Sequence, residues 1–156
     1  MPSIHRVKTR EWARELGIPD RIAKVIGDLD AATDGDQRRF PVRLYHMRPV
    51  LWGRDRRGEM VEQHFRLASE AAQRGDCAEV WQNLGIALHV VQDTIAHGNI
   101  RIHRHFLDKP EYDHRGRLDP EQTRLKRTEQ ATKEFLGRAL AEPQLRRCLQ
   151  SDPSSG

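Results

Sequence analysis

The chain is 156 residues long, the size of one ordinary domain, and it can bury a core without staples. Hydrophobic residues make up 37% and charged residues 32%, with a mean hydropathy of −0.81, and the apolar runs are only a few residues long, so a membrane-spanning segment of ~20 residues is excluded. The formal net charge of +4 is too small to demand nucleic acid as a partner.

Helical signals follow one another along the chain, and strand-like alternation never runs beyond a few residues. Thr9 reads as the N-cap of a first helix over about 10–16, stopped by Gly17. Pro19 suits a first helical position, and Ile22, Val25, Ile26 and Leu29 continue a second helix to about 29. Residues 30–57, punctuated by Gly, Pro and Asp, read as a long loop with room for one short helix. A third helix over 58–73 sets Met60, Val61, His64, Phe65, Ala68, Ala71 and Ala72 on one side, and Gly75 ends it. Asp76, with Glu79 three residues on, opens a fourth helix that reaches about His97 and stops at Gly98. Residues 98–118 form a second long loop, rich in His, Arg and Asp. Asp119, Pro120 and Gln122 start a fifth helix with Leu125, Thr132, Phe135, Leu136, Ala139 and Leu140 on its buried side. Pro143 restarts a short terminal helix, and 151–156 is a frayed tail. The expected fold is all-α: one compact domain over 1–150 around a buried central helix, with two long loops that bear potential ligands. Loops of this length in a compact domain are either disordered or functional, and the ligands favour function.

The fourth helix carries the chemistry. Val80, Trp81, Leu84, Ala87, Leu88, Val90, Val91, Thr94 and Ile95 cover most of its circumference, as expected of a helix at the centre of a domain. His89, Asp93 and His97 stand within it at i, i+4 and i+8, hence on one face. Burying two imidazoles and a carboxylate without compensation would cost several kcal/mol. A divalent metal compensates best, since zinc takes both imidazole nitrogen and carboxylate oxygen; the other solution is a hydrogen-bonded Asp–His network. Gly85 and Ala96 remove bulk on the same side, so that another backbone or an ion can approach, and Gln82 and Gln92 are candidate outer-shell donors. His64 reads as a core or boundary residue, and Trp12, Trp52 and Trp81 as core.

Only five of the 27 basic residues are Lys. Arginine forks match phosphate oxygens, which favours a phosphodiester over a small neutral substrate, although a GC-rich genome gives the same bias. Cys77 and Cys148 lack a CxxC spacing and read as small core residues rather than nucleophiles or a disulfide scaffold. The N-terminal stretch shows no secretory signal, which fits either a cytosolic protein or a piece of a larger exported one.

LGIALHVVQDTIAHGN, residues 84–99, resembles the central motif of the bacterial zinc-dependent phospholipase C family, which shares an all-helical, multi-zinc fold with the single-strand-specific zinc nucleases. The shared pattern is close to LGxxLHxxxDxxxxxH. His89 and Asp93 fall on its His and Asp, and His97 falls near its next His with shorter spacing. The form ALHxxQDxxAHGN is closer still to small toxin domains at the C-termini of Rhs-type proteins. These sixteen residues carry the specificity; the remaining matches follow by order alone. His5, with Thr9 and Ala13, is similar to the family's early zinc-binding His, Asp34 and His46 to an Asp and a His before the central helix, His103 or His105 to a later His, and Asp113 to a later acid. The family's N-terminal Trp and its His-x-x-x-Glu pair after the central helix have no counterpart here.

The resemblance implies a soluble zinc phosphodiesterase holding one to three ions. Its expected ligands are His5, His46, His89, Asp93, His97 and His105, with Asp34 as a ligand or as the base orienting the attacking water, so that Asp34 and Asp93 are the catalytic carboxylates. Arg101 and Arg104, with Arg115 and Arg117, are candidates to grip phosphate oxygens; a solvated loop is the plainer reading of all four. The expected substrate is a phospholipid or another phosphodiester. A toxin role would add delivery within a larger secreted protein and a cognate immunity protein as partner. A nuclease on the same fold is the alternative, and a non-catalytic helical interaction domain with a structural metal, or none, is the alternative of another class.

Overall fold

The computed structural model describes residues 4–35, 56–97 and 120–151, except for the side chains of 34, 35, 96, 97 and 120–123. A π-helical turn, Ile4–Lys8, runs directly into α1, Thr9–Glu15. Then come α2, Asp20–Gly35; α3, Arg57–Gln73; α4, Cys77–His97; α5, Pro120–Ala141; and α6, Pro143–Gln150. The described residues form no strand, and no helix among them is long and apolar enough to cross a membrane. The all-α expectation is met.

Helix boundaries follow local chemistry. Gly17 and Gly75 adopt φ of +85° and +74°, left-handed conformations that end α1 and α3 without a side-chain clash. Asp76 caps α4 by accepting a hydrogen bond from the Glu79 backbone N–H at 3.0 Å, while the Glu79 carboxylate pairs with Arg74 rather than reaching back. Pro143 sits in the first turn of α6.

Three local expectations need correction. Thr9 is not a cap: the π turn precedes it, and its hydroxyl is buried in the core, donating to Asp30. The second helix does not stop near 29. It runs to Gly35, and Asp30, expected to open a loop, lies inside the helix with buried partners. The two cysteines are not independent core residues. Cys77, first in α4, is joined to Cys148 in α6 by a disulfide with a Cα–Cα distance of 5.1 Å. Across 71 residues of sequence, no spacing rule signals such a pair.

α4 is the central helix. α3 lies antiparallel beside it across the Gly75 turn, α2 packs on it, and α5 and α6 also touch it. Val80, Leu84, Ala87, Leu88 and Val90 of α4 are wholly buried, as are Ile26 of α2, Ala68 of α3, Leu136 of α5 and Leu149 of α6. Phe65 and Phe135 meet edge to face, and Arg138, bound to Glu62, lies over the Phe65 ring. Trp12 is core, and Trp81 anchors α6 by donating from Nε1 to the Cys148 carbonyl at 2.8 Å. The π turn and α1 lie against α2, which brings the N-terminal segment to the side of α4 that carries His89.

Candidate metal centre

Three segments far apart in sequence converge on one buried point. The π turn supplies His5, which is buried while its neighbours Arg6 and Val7 are exposed. α2 supplies Asp30. Ile22, Ile26 and Asp30 follow at i, i+4 and i+8, so the carboxylate lies on the face of α2 that packs into the core. α4 supplies His89, Gln92 and Asp93. The approach depends on glycine: a Cβ at Gly85 would stand 2.8 Å from Leu29 Cβ and 3.1 Å from the Asp30 nitrogen. A Cβ at Gly27 would stand 2.6 Å from the Arg6 carbonyl oxygen, so α2 also holds the π turn at close range.

Asp30 and Asp93 bracket the two imidazoles. His5 Nδ1 lies 2.9 Å and His89 Nδ1 3.3 Å from Asp30 Oδ1. On the other side of the rings, His5 Nε2 lies 3.5 Å from Asp93 Oδ1 and His89 Nε2 lies 3.2 Å from Asp93 Oδ2. The ring centroids are 4.4 Å apart. Around this quartet, Gln92 Oε1 lies 2.8 Å from His5 Nδ1, and Gln92 Nε2 donates to the Thr9 hydroxyl at 2.7 Å and to that of Thr132 at 3.2 Å. Thr9 in turn donates to Asp30 Oδ2 at 2.8 Å. Burial would lower the pKa of both histidines, but hydrogen bonds and charge attraction from Asp30 and Asp93 outweigh it. They raise His5 to about 10 and His89 to about 9, the mutual repulsion of the rings acting against the rise in His89.

His5, Asp30 and His89 each offer a ligand atom, and these atoms lie within 4.8 Å of one another, so the group could hold a metal ion. The donor set fits one. Imidazole nitrogen and carboxylate oxygen both bind zinc at ~2.0–2.1 Å, and tetrahedral donors at that radius stand roughly 3.3 Å apart. Within that group, Asp30 Oδ1 stands 2.9 Å from His5 Nδ1 and 3.3 Å from His89 Nδ1.

Of the residues singled out from sequence, His5, His89 and Asp93 come together. Gln92 reaches the cluster as expected, but with its oxygen toward His5 Nδ1 and its nitrogen donating to Thr9 and Thr132, whereas Gln82 is exposed. Gly85 admits a backbone, that of α2. Asp34 and His97 lie in the last turns of α2 and α4, with side chains outside the described residues. His46, His103, His105, Arg101, Arg104, Asp113, Arg115 and Arg117 also fall outside them. His64, expected as a core or boundary residue, is buried, its Nδ1 2.8 Å from Asn83 Oδ1. Asp30 escaped sequence reasoning, although a carboxylate in line with Ile22 and Ile26 was a usable signal. Thr132, on the buried side of α5 as expected, accepts a hydrogen bond from Gln92. No family model matches the chain, and no curated protein or solved structure matches it significantly.

Proposed function

We propose that this chain is a metal-dependent phosphodiester hydrolase with zinc as its cofactor, resembling the phospholipase C type. The observation that carries the reading is the convergence of His5, Asp30, His89 and Asp93 from three segments onto one buried point. The likeness of residues 84–99 to the zinc phospholipase motif supports it, since His89 and Asp93 occupy the two positions that motif reserves for ligands. His5, Asp30 and His89, whose ligand atoms lie within 4.8 Å of one another, would hold the ion. When bound, zinc supplies a Lewis acid toward a phosphoryl oxygen and toward the attacking water. The chain's own part is to keep the rings oriented through Gln92, Thr9 and Asp93 and to keep bulk water from the deep side. Hydrolysis joins the water oxygen to phosphorus and releases an alcohol. A toxin role within a larger secreted protein adds an immunity protein covering the site as its partner.

One observation favours a structural metal in a non-catalytic domain instead: Asp30 and His89 have no exposed surface. Activity decides. With zinc, the wild type should release nitrophenolate from bis(p-nitrophenyl) phosphate. His89→Ala and Asp93→Asn should lower the rate by at least about 100-fold, the upper end of what loss of an outer-shell partner costs, with helical content kept. Wild-type rates in both variants would overturn the reading. Headgroup release from phosphatidylcholine vesicles, set against degradation of single-stranded DNA, separates the lipid from the nuclease form.

A further inference from the structure

Within the group that could hold an ion, Asp30 and His89 stand on the long helices α2 and α4, whereas His5 stands on the five-residue π turn. Its place therefore depends on how closely that turn lies against α2. His5, Thr9, Trp12 and Ala13 are buried along one face of the turn and α1, while Arg6 and Val7 are exposed. Beside the hydrogen bond from Thr9 to Asp30, two features fasten the turn to α2. Arg6 Nε lies 3.1 Å from Asp28 Oδ1, but both side chains are exposed, so that pair contributes little. The other is a backbone seat. A Cβ at Gly27 would stand 2.6 Å from the Arg6 carbonyl oxygen and 3.5 Å from the Arg10 nitrogen, both main-chain atoms that no change of rotamer can move aside. Ordinary contact begins at 3.4 Å, so a larger residue must push the turn outward by most of an ångström. A zinc ligand tolerates a displacement of only about 0.2 Å. The seat lies under the residue that follows His5 and three residues before Asp30 on α2, so it acts on the spacing of the two.

We infer that Gly27 is a positioning residue for the metal centre: its missing side chain seats the Arg6 carbonyl against α2 and so sets His5 at ligating distance from Asp30 and His89. This deepens the metal reading above and rests on it. The effect of the glycine passes through His5, which the rest of the fold does not need in order to pack.

The test is a double-mutant cycle in zinc affinity, measured by calorimetry on metal-stripped protein whose helical content is checked by circular dichroism. Gly27→Ala should lower the affinity at least about 10-fold, the lower end of what loss of an outer-shell partner costs, and His5→Ala should lower it at least as far. The double variant should bind zinc no more weakly than His5→Ala, since the glycine then has no ligand to place. Asp28→Asn, which removes the exposed pair, should leave the affinity unchanged. In stripped protein, the nuclear Overhauser effect between the rings of His5 and His89, whose centroids are 4.4 Å apart, should weaken in Gly27→Ala. Wild-type affinity or an unchanged ring-to-ring effect in Gly27→Ala overturns the inference. So do additive losses in the double variant, which would place the action on Asp30 or on the fold at large, and so does a Gly27→Ala protein that fails to fold. Wild-type affinity in His5→Ala removes His5 from the ligands and the inference with it. A wild type that binds no zinc overturns the metal reading as well. Zinc bound as described by a protein that hydrolyses no phosphodiester overturns only the hydrolase.

Discussion

Asp30 is wholly buried and serves both imidazoles and the Thr9 hydroxyl, while Asp93 holds the opposite ring edges. The pH response of the metal-stripped protein follows from this pairing. An unperturbed histidine titrates near 6.5, and in the fold His5 is raised to about 10 and His89 to about 9. Their stabilisation is complete below pH 6.5 and is lost as pH rises through about 9 and then about 10. The thermal midpoint of stripped protein should therefore fall between pH 6.5 and 10, and His89→Gln should flatten the fall. Because metal must displace these protons, apparent zinc affinity should rise over the same range, as calorimetric titration at several pH values would show. His89 and Asp93 were legible in the sequence because charge on an otherwise apolar helix is conspicuous. Asp30 was not, because it follows Asp28 and Leu29 among Asp, Ala and Thr and looks like the start of a loop.

At the scale of elements, the cluster exists because α2 lies close enough to α4 for backbone to meet backbone. Gly85→Ala should cost about 1–3 kcal/mol, the usual range for overpacking, and should also weaken zinc binding, since the new methyl presses on Leu29 and Asp30. Gly137→Ala in α5 is the control. A Cβ there meets nothing within 4 Å, so the change should be neutral or stabilising by up to about 1 kcal/mol, with zinc affinity unchanged. Urea unfolding of both variants, alongside zinc titration, checks the pair. The boundaries of α3, α4 and α6 could be read from Gly75, Asp76 and Pro143, since each acts through its own backbone. The π turn and the continuation of α2 past Leu29 could not, because His5 and Asp30 meet side chains distant in sequence.

At the scale of the whole molecule, the Cys77–Cys148 bridge ties the start of the central helix to the last one. Closing a loop across 71 residues restricts the unfolded chain by roughly 4 kcal/mol. Treatment with a dithiol reductant should lower the thermal midpoint by roughly 10 °C. Cys148→Ser should match the reduced wild type and be insensitive to reductant, and an unchanged wild-type midpoint in reductant would show that the bridge adds nothing. The helical architecture was readable because periodicity and caps are local. The bridge and the meeting of π turn, α2 and α4 were not, because they belong to the packed chain.

Zinc titration of metal-stripped protein, followed by calorimetry and by elemental analysis after dialysis, bears most directly on the buried quartet. The wild type should retain at least one zinc ion per chain, and a variant carrying both His5→Ala and His89→Ala should retain none at that site. A stripped, folded wild type that takes up no zinc, or a double variant that binds it as the wild type does, would contradict the account.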